Sequence, residues 1–255
     1  MLRRLLFVLA VLTGLAPAVS AREIIKVGGY EFGPFVDVDP AGKASGLTLE
    51  LIERLNAAQD HFVFQFVLTS PSRRYKDFED HRFDMVLFES ADWGWTEKHL
   101  PVVASDVFLT GGELYVAQAQ PGRGQEYFTD LTTKRMVGIL GYHYGFANFE
   151  ADPAVLTRQF KLTLVNNNTA SIELILKDRG DIAVVTDAYL KRYLRLHPEA
   201  AGRLLVSERF DQRYHHRALI RDGAAISVSE FNQLLSTMTR DRTLAKLWHD
   251  FGLGD

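Results

Sequence analysis

Short apolar runs alternate with amphipathic segments along most of the chain, and this alternation limits the possible folds more than any other feature. Residues 24–27, 61–68 and 83–88 are short and apolar enough to be strands. Between the first two, residues 47–58 place three leucines on one stripe of a helix, with charged residues facing elsewhere. Strands that alternate with helices in this way predict an α/β fold.

The second half of the chain repeats the alternation. A helix predicted over residues 170–177 has Asn168 or Thr169 as its N-cap, and one long amphipathic helix is predicted over residues 229–250. Two α/β lobes fit this order better than one barrel, because the regular strand–helix pairs are too few for eight units. The remaining predicted strands are residues 114–118, 136–140, 162–165, 181–185 and 218–220.

The first 21 residues have the three-part layout of a secretory signal peptide. Two arginines precede an apolar run over residues 5–15, and small residues follow up to Ala21. The run is too short for a bilayer span of roughly 20 residues, although an uncleaved anchor is the alternative. Cleavage near Ala21 removes two positive charges and changes the formal net charge from −3 to −5. A soluble periplasmic protein is therefore expected.

Composition excludes several kinds of function. The chain has no cysteine, which removes disulfides, thiolate metal sites and a lipid anchor on an N-terminal cysteine. The near-neutral charge gives no basic face, so no nucleic-acid partner is expected. His215 and His216 are adjacent and cannot share a helical face, so no metal site is predicted. No nucleophile motif, phosphate loop or dinucleotide motif occurs, and no catalytic residue or cofactor is predicted.

Several short motifs follow one another in a specific order. Residues 30–35 give an aromatic followed by Pro-Phe, and a D-x-x-G-K turn and a helix start come next. This order resembles the family 3 periplasmic solute-binding proteins of ABC transporters, in the polar amino-acid-binding group, over nearly all of residues 22–255. The other matching segments are residues 39–43, 46–51, 83–84, 137–141, 179–187 and 240–247, the last with Arg242 where glycine is usual.

This resemblance implies an α/β, two-lobed, periplasmic-binding-protein-like fold with a ligand cleft between the lobes. After the signal peptide (residues 1–21), it implies a discontinuous first lobe of residues 22–115 and 213–255. Residues 116–212 would form the second lobe. A ligand would bind between the lobes and favour their closure by hinge bending.

In the first lobe, the resemblance places Phe32 where relatives cover the ligand with an aromatic ring. The alternative is a loop aromatic that packs on its neighbours. Arg74 is a candidate for the cleft because a guanidinium binds carboxylates or phosphates in bidentate fashion. Its alternative is a solvated arginine on the first turn of a helix.

The segment after the third strand departs from the family pattern. Thr96 lies where relatives carry the arginine that clamps the α-carboxylate, while Glu89, Trp93 and Trp95 appear nearby. We therefore expect a reversed local charge, with at least one of the two indoles facing a planar or cationic solute. The alternative is that the tryptophans pack the lobe and that Glu89 pairs with Arg74 or Lys98.

In the second lobe, Tyr142 and His143 occupy a strand-to-helix turn where relatives offer hydroxyl and backbone donors. His143 alternatively starts a helix in solvent. Asn168 and Thr169 are predicted to line the cleft, to cap a helix, or both. Asp187 matches the family's ammonium-binding carboxylate and follows a strand, where ligand sites are common.

These features predict a non-enzymatic, monomeric binding protein that captures a small-molecule solute and presents it to an ABC permease. The solute is expected to be polar, and aromatic or cationic rather than a standard L-amino acid, because the clamping arginine is missing. The alternative is a sensing protein that signals to a membrane sensor. An enzyme on the same fold is the third hypothesis.

Overall fold

The structure is a computed structural model that describes residues 22–253, so the predicted signal peptide lies outside the described residues. Strands and helices alternate through the described part of the chain. The strands are β1 (Glu23–Gly29), β2 (Asp37–Val38), β3 (Ala44–Ser45), β4 (Phe62–Leu68), β5 (Met85–Glu89), β6 (Val102–Ala104), β7 (Leu109–Gln118), β8 (Met136–Ile139), β9 (Leu162–Val165), β10 (Ile182–Thr186) and β11 (Leu204–Arg221). The α-helices are α1 (Leu47–Ala57), α2 (Arg74–Glu79), α3 (Pro153–Gln159), α4 (Asn168–Leu176), α5 (Asp187–Leu196), α6 (Val228–Arg240) and α7 (Thr243–Asp250).

The first lobe is built on β4, β1 and β5, which pair in parallel, and the end of β11 pairs antiparallel with β5 and β6. Helix α1 buries Leu47, Leu51 and Leu55 as the periodicity predicts, and it packs against β4 and α7. These apolar contacts form a core beneath the sheet.

The second lobe is built on β9, β8 and β10, which are also parallel, with β7 antiparallel to β10. Helix α4 covers this sheet and buries Ile172 and Ile175 against it. Within residues 22–253, no helix has the length and apolar character needed to span a membrane.

Two long antiparallel strands, β7 and β11, join the lobes into one nine-stranded sheet. The 18-residue β11 pairs with β7 from Leu204 to His216 and then with β5 from Arg217 onward. The register with β5 shifts between Arg217 and Leu219, opposite Phe88, whose φ of 56° is left-handed. Such a bulge bends the strand and re-aims neighbouring side chains.

Three local predictions need correction, and one helix was not predicted. The N-cap of α4 is Asn167, whose side chain accepts from the N–H of Ala170, and neither Asn168 nor Thr169. The single helix predicted over residues 229–250 is two helices, because Arg242 has a φ of 67° that no α-helix accommodates. The strand predicted at 218–220 is the end of β11. Helix α5 was missed, although Tyr189, Leu190, Tyr193 and Leu194 recur at helical spacing.

Candidate functional site

The segments that follow the parallel strands of both lobes meet between the lobes. In the first lobe Tyr30 follows β1 and Glu89 ends β5, and in the second lobe residues 141–144 follow β8. The hydroxyl of Tyr142 donates across the boundary to the carbonyl oxygen of Glu31 at 2.9 Å. Because α/β proteins bind ligands at the carboxyl ends of their strands, this boundary is the candidate site.

Arg74 and Glu89 form an ion pair in the wall of this cleft. Arg74 Nε lies 2.9 Å from Glu89 Oε1, with both side chains almost fully buried, although the N–H does not point at the oxygen. Trp95 Nε1 donates to Oε1 at 2.6 Å, and the Tyr30 hydroxyl donates to Oε2 at 2.7 Å. Burial raises the pKa of Glu89, while the charge of Arg74 and these donors oppose the rise.

This ion pair corrects the expected charge reversal. Arg74 supplies a cation beside Glu89, so the two charges compensate each other. The pairing alternative for Glu89 is confirmed, and the solvated alternative for Arg74 is wrong because its side chain is 2% exposed. The guanidinium also donates to the carbonyl oxygens of Pro71, Trp93 and Gly141, the last from the second lobe. The solute contacts predicted for both residues stay predictions.

The two neighbouring tryptophans have different positions. Trp95 is fully buried behind Glu89, and its ring lies edge-on to Tyr75 and Phe78, with each centroid 5.3 Å away. Trp93 lines the cleft, and its Nε1 donates to Gln212 Oε1 at 3.0 Å. Of the two indoles, therefore, Trp93 lines the central cavity, whereas Trp95 supports the ion pair.

Phe32 belongs to an aromatic cluster that fills the space between the lobes. Its ring centroid lies 5.8 Å from Trp93 and 5.6 Å from Tyr142, both edge-on, and Tyr30 and Tyr214 extend the cluster. The cavity left at the centre measures about 10 Å³, which is space for about one water molecule. The described conformation is thus closed on the protein's own rings, and a solute of amino-acid size needs them to move.

The turn after β8 is buried rather than exposed. Tyr142 and His143 are 8% and 7% exposed and both line the central cavity, so the alternative of a solvent-exposed His143 is wrong. Burial, with the nearby charges of Arg74 and Lys98, lowers the pKa of His143 to about 3. Its Nδ1 has no protein hydrogen-bond partner among residues 22–253. The ring of His143 therefore lines the cleft in its neutral form.

Asn168 and Thr169 lie at one end of the cleft. Asn168 is buried, with its side-chain oxygen 3.4 Å from the Thr186 amide nitrogen and its Nδ2 3.4 Å from Thr186 Oγ1, so it braces α4 against β10. The Thr169 hydroxyl hydrogen-bonds the hydroxyl of Tyr189. Both residues line a cavity of about 320 Å³ beside the central one.

Two larger cavities flank the centre. The one of about 320 Å³ also borders an ion pair between the lobes, in which Arg192 of α5 binds both carboxylate oxygens of Asp37 of β2 at 2.5 and 2.7 Å. The other, of about 690 Å³, shares Gly141 and His143 with the central cavity. The central cavity therefore adjoins open space through the turn after β8.

Asp187 begins α5, next to β7. Its Oδ1 accepts from the N–H of Ala188 at 2.7 Å and lies 3.4 Å from the amide nitrogen of Gly112. It lines none of the cavities described above, so the solute contact predicted for it stays a prediction.

Sequence reasoning missed two cleft residues on the strands that join the lobes. Glu113 of β7 and Gln212 of β11 are buried in the wall of the central cavity. Gln212 Nε2 donates to Glu113 Oε2 at 2.8 Å and also to the carbonyl oxygen of His143. Burial raises the pKa of Glu113 well above its ordinary value, and the carboxylates of Asp211 and Asp187 add to this rise. The sequence signal that could have found Glu113 is that it is the one acidic residue in the mostly apolar strand β7.

In the part of the chain from residue 22 to residue 253, no group of three or more His, Cys, Asp or Glu side chains is placed to hold a metal ion.

Comparisons with known proteins give structural matches alone. No protein-family model matches the chain, and no curated protein matches it. A substrate-binding protein of an ABC uptake transporter from Streptococcus pneumoniae, with bound histidine, has a TM-score of 0.72 at 15% identity. The match covers 90% of this chain and 92% of that one.

Two further solved structures are similar. A putative binding component of an ABC transporter from Wolinella succinogenes, complexed with lysine, has a TM-score of 0.69 at 17% identity, covering 90% of this chain and 96% of that one. An ancestral amino-acid-binding protein, a precursor of cyclohexadienyl dehydratase, has a TM-score of 0.67 at 19% identity, covering 89% and 94%. The chain therefore has the two-lobed α/β fold of the periplasmic solute-binding proteins of ABC transporters, as the order of its motifs predicts.

Proposed function

We propose that the mature chain is a periplasmic, non-enzymatic solute-binding protein that closes its lobes on a small solute and presents it to an ABC importer. The observation that carries this proposal is the cleft itself, where aromatic rings and carboxyl groups from both lobes meet at the strand ends. The proposal is consistent with the bound amino acids of the similar structures, which are those proteins' own ligands.

The side chains in the cleft favour a solute with a cationic or planar group. The rings of Phe32, Trp93 and Tyr142 offer faces that attract cations and stack on flat groups. The guanidinium of Arg74, which lines the cavity, is already paired with Glu89. A carboxylate on the solute would have to compete with Glu89 for the guanidinium of Arg74. This competition disfavours a solute that binds through its α-carboxylate.

A thermal-shift screen of residues 22–255 tests the proposal. The compounds are L-amino acids, polyamines, betaines and aromatic amines, because they separate cationic, planar and zwitterionic chemistry. A solute at 100 times its Kd stabilises the protein by about 2.7 kcal/mol. The proposal is contradicted if no compound of the set raises the melting temperature.

A pair of tryptophan variants locates the binding. Trp93→Phe keeps a ring but loses the hydrogen bond to Gln212, and we expect it to weaken the best solute by about 1 kcal/mol or more. Trp248→Phe, on α7 away from the cleft, is the matched control and should bind like wild type. Equal binding by both variants would place the solute elsewhere. Solute uptake, measured in cells with and without this protein, then separates import from signalling to a membrane sensor.

A further inference from the structure

Glu113 is a buried carboxyl group without a cation in the described part of the chain. It lies in β7, one of the two strands that join the lobes, and is 2% exposed. No salt bridge joins it to a lysine, arginine or histidine among residues 22–253. Its hydrogen bond comes from the neutral amide of Gln212. A buried carboxyl group is ordinarily paired or neutral, and this one lines the cavity at the centre of the cleft.

None of the charged groups around Glu113 in the described part of the chain is a cation free to pair with its carboxyl group. Arg74 lines the same cavity, but Glu89 compensates its charge. From β11, Asp211 adds a carboxylate that is already held by the hydroxyl of Tyr115 and two backbone N–H groups. From α5, Asp187 adds a second one. From the turn after β8 come the phenols of Tyr142 and Tyr144 and the neutral ring of His143.

Size and shape select the group that would fit beside Glu113. The central cavity of about 10 Å³ holds about one water-sized group, and a primary ammonium group is close to that size, whereas a trimethylammonium group is much larger. The rings of Tyr30, Phe32, Trp93 and Tyr142 line the same cavity and attract cations. The cavity of about 690 Å³ shares Gly141 and His143 with the central one, so the rest of such a solute would lie on that side of the cleft once the rings move.

We propose that the carboxyl group of Glu113 receives a primary ammonium group of the captured solute and releases one proton to solvent when it does so. The step is balanced: a neutral carboxylic acid and an ammonium ion become a carboxylate–ammonium pair and one free proton. This inference rests on the proposed binding function and specifies its solute class. Solute affinity therefore rises with pH in the range where free Glu113 is protonated, by up to about tenfold per pH unit.

Calorimetric titration of residues 22–255 tests this step. The probes are putrescine, L-lysine and 2-phenylethylamine, with butyltrimethylammonium and pentanoate as comparisons, from pH 5 to pH 8. We expect at least one primary amine to bind more tightly than both comparison compounds. Titrations in two buffers of different ionisation enthalpy should show about one proton released per amine bound.

Two variants assign the proton to its site. Glu113→Gln keeps the shape of the side chain and its bond to Gln212, and it should bind the amine at least tenfold more weakly with no dependence on pH. Glu53→Gln, which removes a solvent-exposed carboxylate of α1, should behave like wild type. The proton release of the wild type is an independent readout if Glu113→Gln folds poorly.

The outcomes separate this inference from the binding function. Tight binding of pentanoate or of a neutral solute, amine binding without proton release, or no amine binding overturns the role of Glu113 and leaves solute binding standing. Failure of every compound in the wider screen contradicts the binding function itself.

Discussion

The buried ion pair of Arg74 and Glu89 gives the sharpest test of how the first lobe is held together. Arg74→Met removes the cation while filling much of the same volume. It leaves Glu89 fully buried with only the donors of Tyr30 and Trp95. Breaking a buried pair by removing one partner costs about 3–5 kcal/mol, because the remaining charge is uncompensated. We expect a loss in this range at pH 7.

The pH dependence of that loss follows from the protonation of Glu89. The unfolded chain titrates this carboxyl near its ordinary value of 4.5, and without Arg74 the folded pKa rises further. Between those two values the folded state binds more protons than the unfolded state, so stability falls as pH rises, by up to about 1.4 kcal/mol per pH unit. The loss should therefore be smaller at pH 5 than at pH 7.

Guanidinium denaturation, followed by tryptophan fluorescence at pH 5, 6 and 7, measures these free energies of unfolding. Arg74→Met/Glu89→Gln, which makes both groups neutral, should recover most of the loss. Arg135→Met is the control, because it breaks a partly exposed pair with Asp181 and should cost about 0–1 kcal/mol. A loss under 1 kcal/mol for Arg74→Met, a loss independent of pH, or no recovery in the double variant would refute the reasoning.

Two further predictions concern the lobe boundary and acid stability. Arg192→Ala breaks the partly exposed pair with Asp37 and should raise the radius of gyration in small-angle X-ray scattering. The control Lys246→Ala breaks a pair with Asp250 within α7 and should leave the radius unchanged. Equal radii for the two variants would show that the pair of Asp37 and Arg192 does not hold the lobes together. Burial lowers the pKa of His216 to about 3. The unfolded chain therefore binds more protons than the folded one between about pH 6.5 and 3. As the pH is lowered through this range, the free energy of unfolding decreases by up to about 1.4 kcal/mol per pH unit. His216→Phe should reduce this slope in acid denaturation, and an unchanged slope would assign the acid sensitivity to other groups.

The fold was predictable because its signals are local. The apolar period of α1 and the short apolar runs of β4, β5 and β9 decide their structures within a few residues. The errors arose where tertiary structure decides. Much of β11 carries charged residues that read as a loop, yet pairing with β7 makes it a strand.

The site was less predictable because it depends on which strand ends lie side by side. Arg74 follows β4, and Glu89 ends β5. These two strands flank β1, and this order brings both side chains to Tyr30, which follows β1. The spacing of 15 residues between them carries no such information. Glu113 was missed for a related reason, since its burial depends on Gln212, which lies 99 residues away.

The filled cleft has a consequence for solute affinity. A solute and the rings around Phe32 cannot occupy the same volume of the closed cleft. The closed form described here therefore competes with the form that binds solute. If about 1% of the molecules are open to solute, the apparent Kd is about a hundredfold weaker than the intrinsic one. Selectivity then depends on what a solute gains over the aromatic contacts that it replaces, which favours solutes that offer those rings a cation or a flat face.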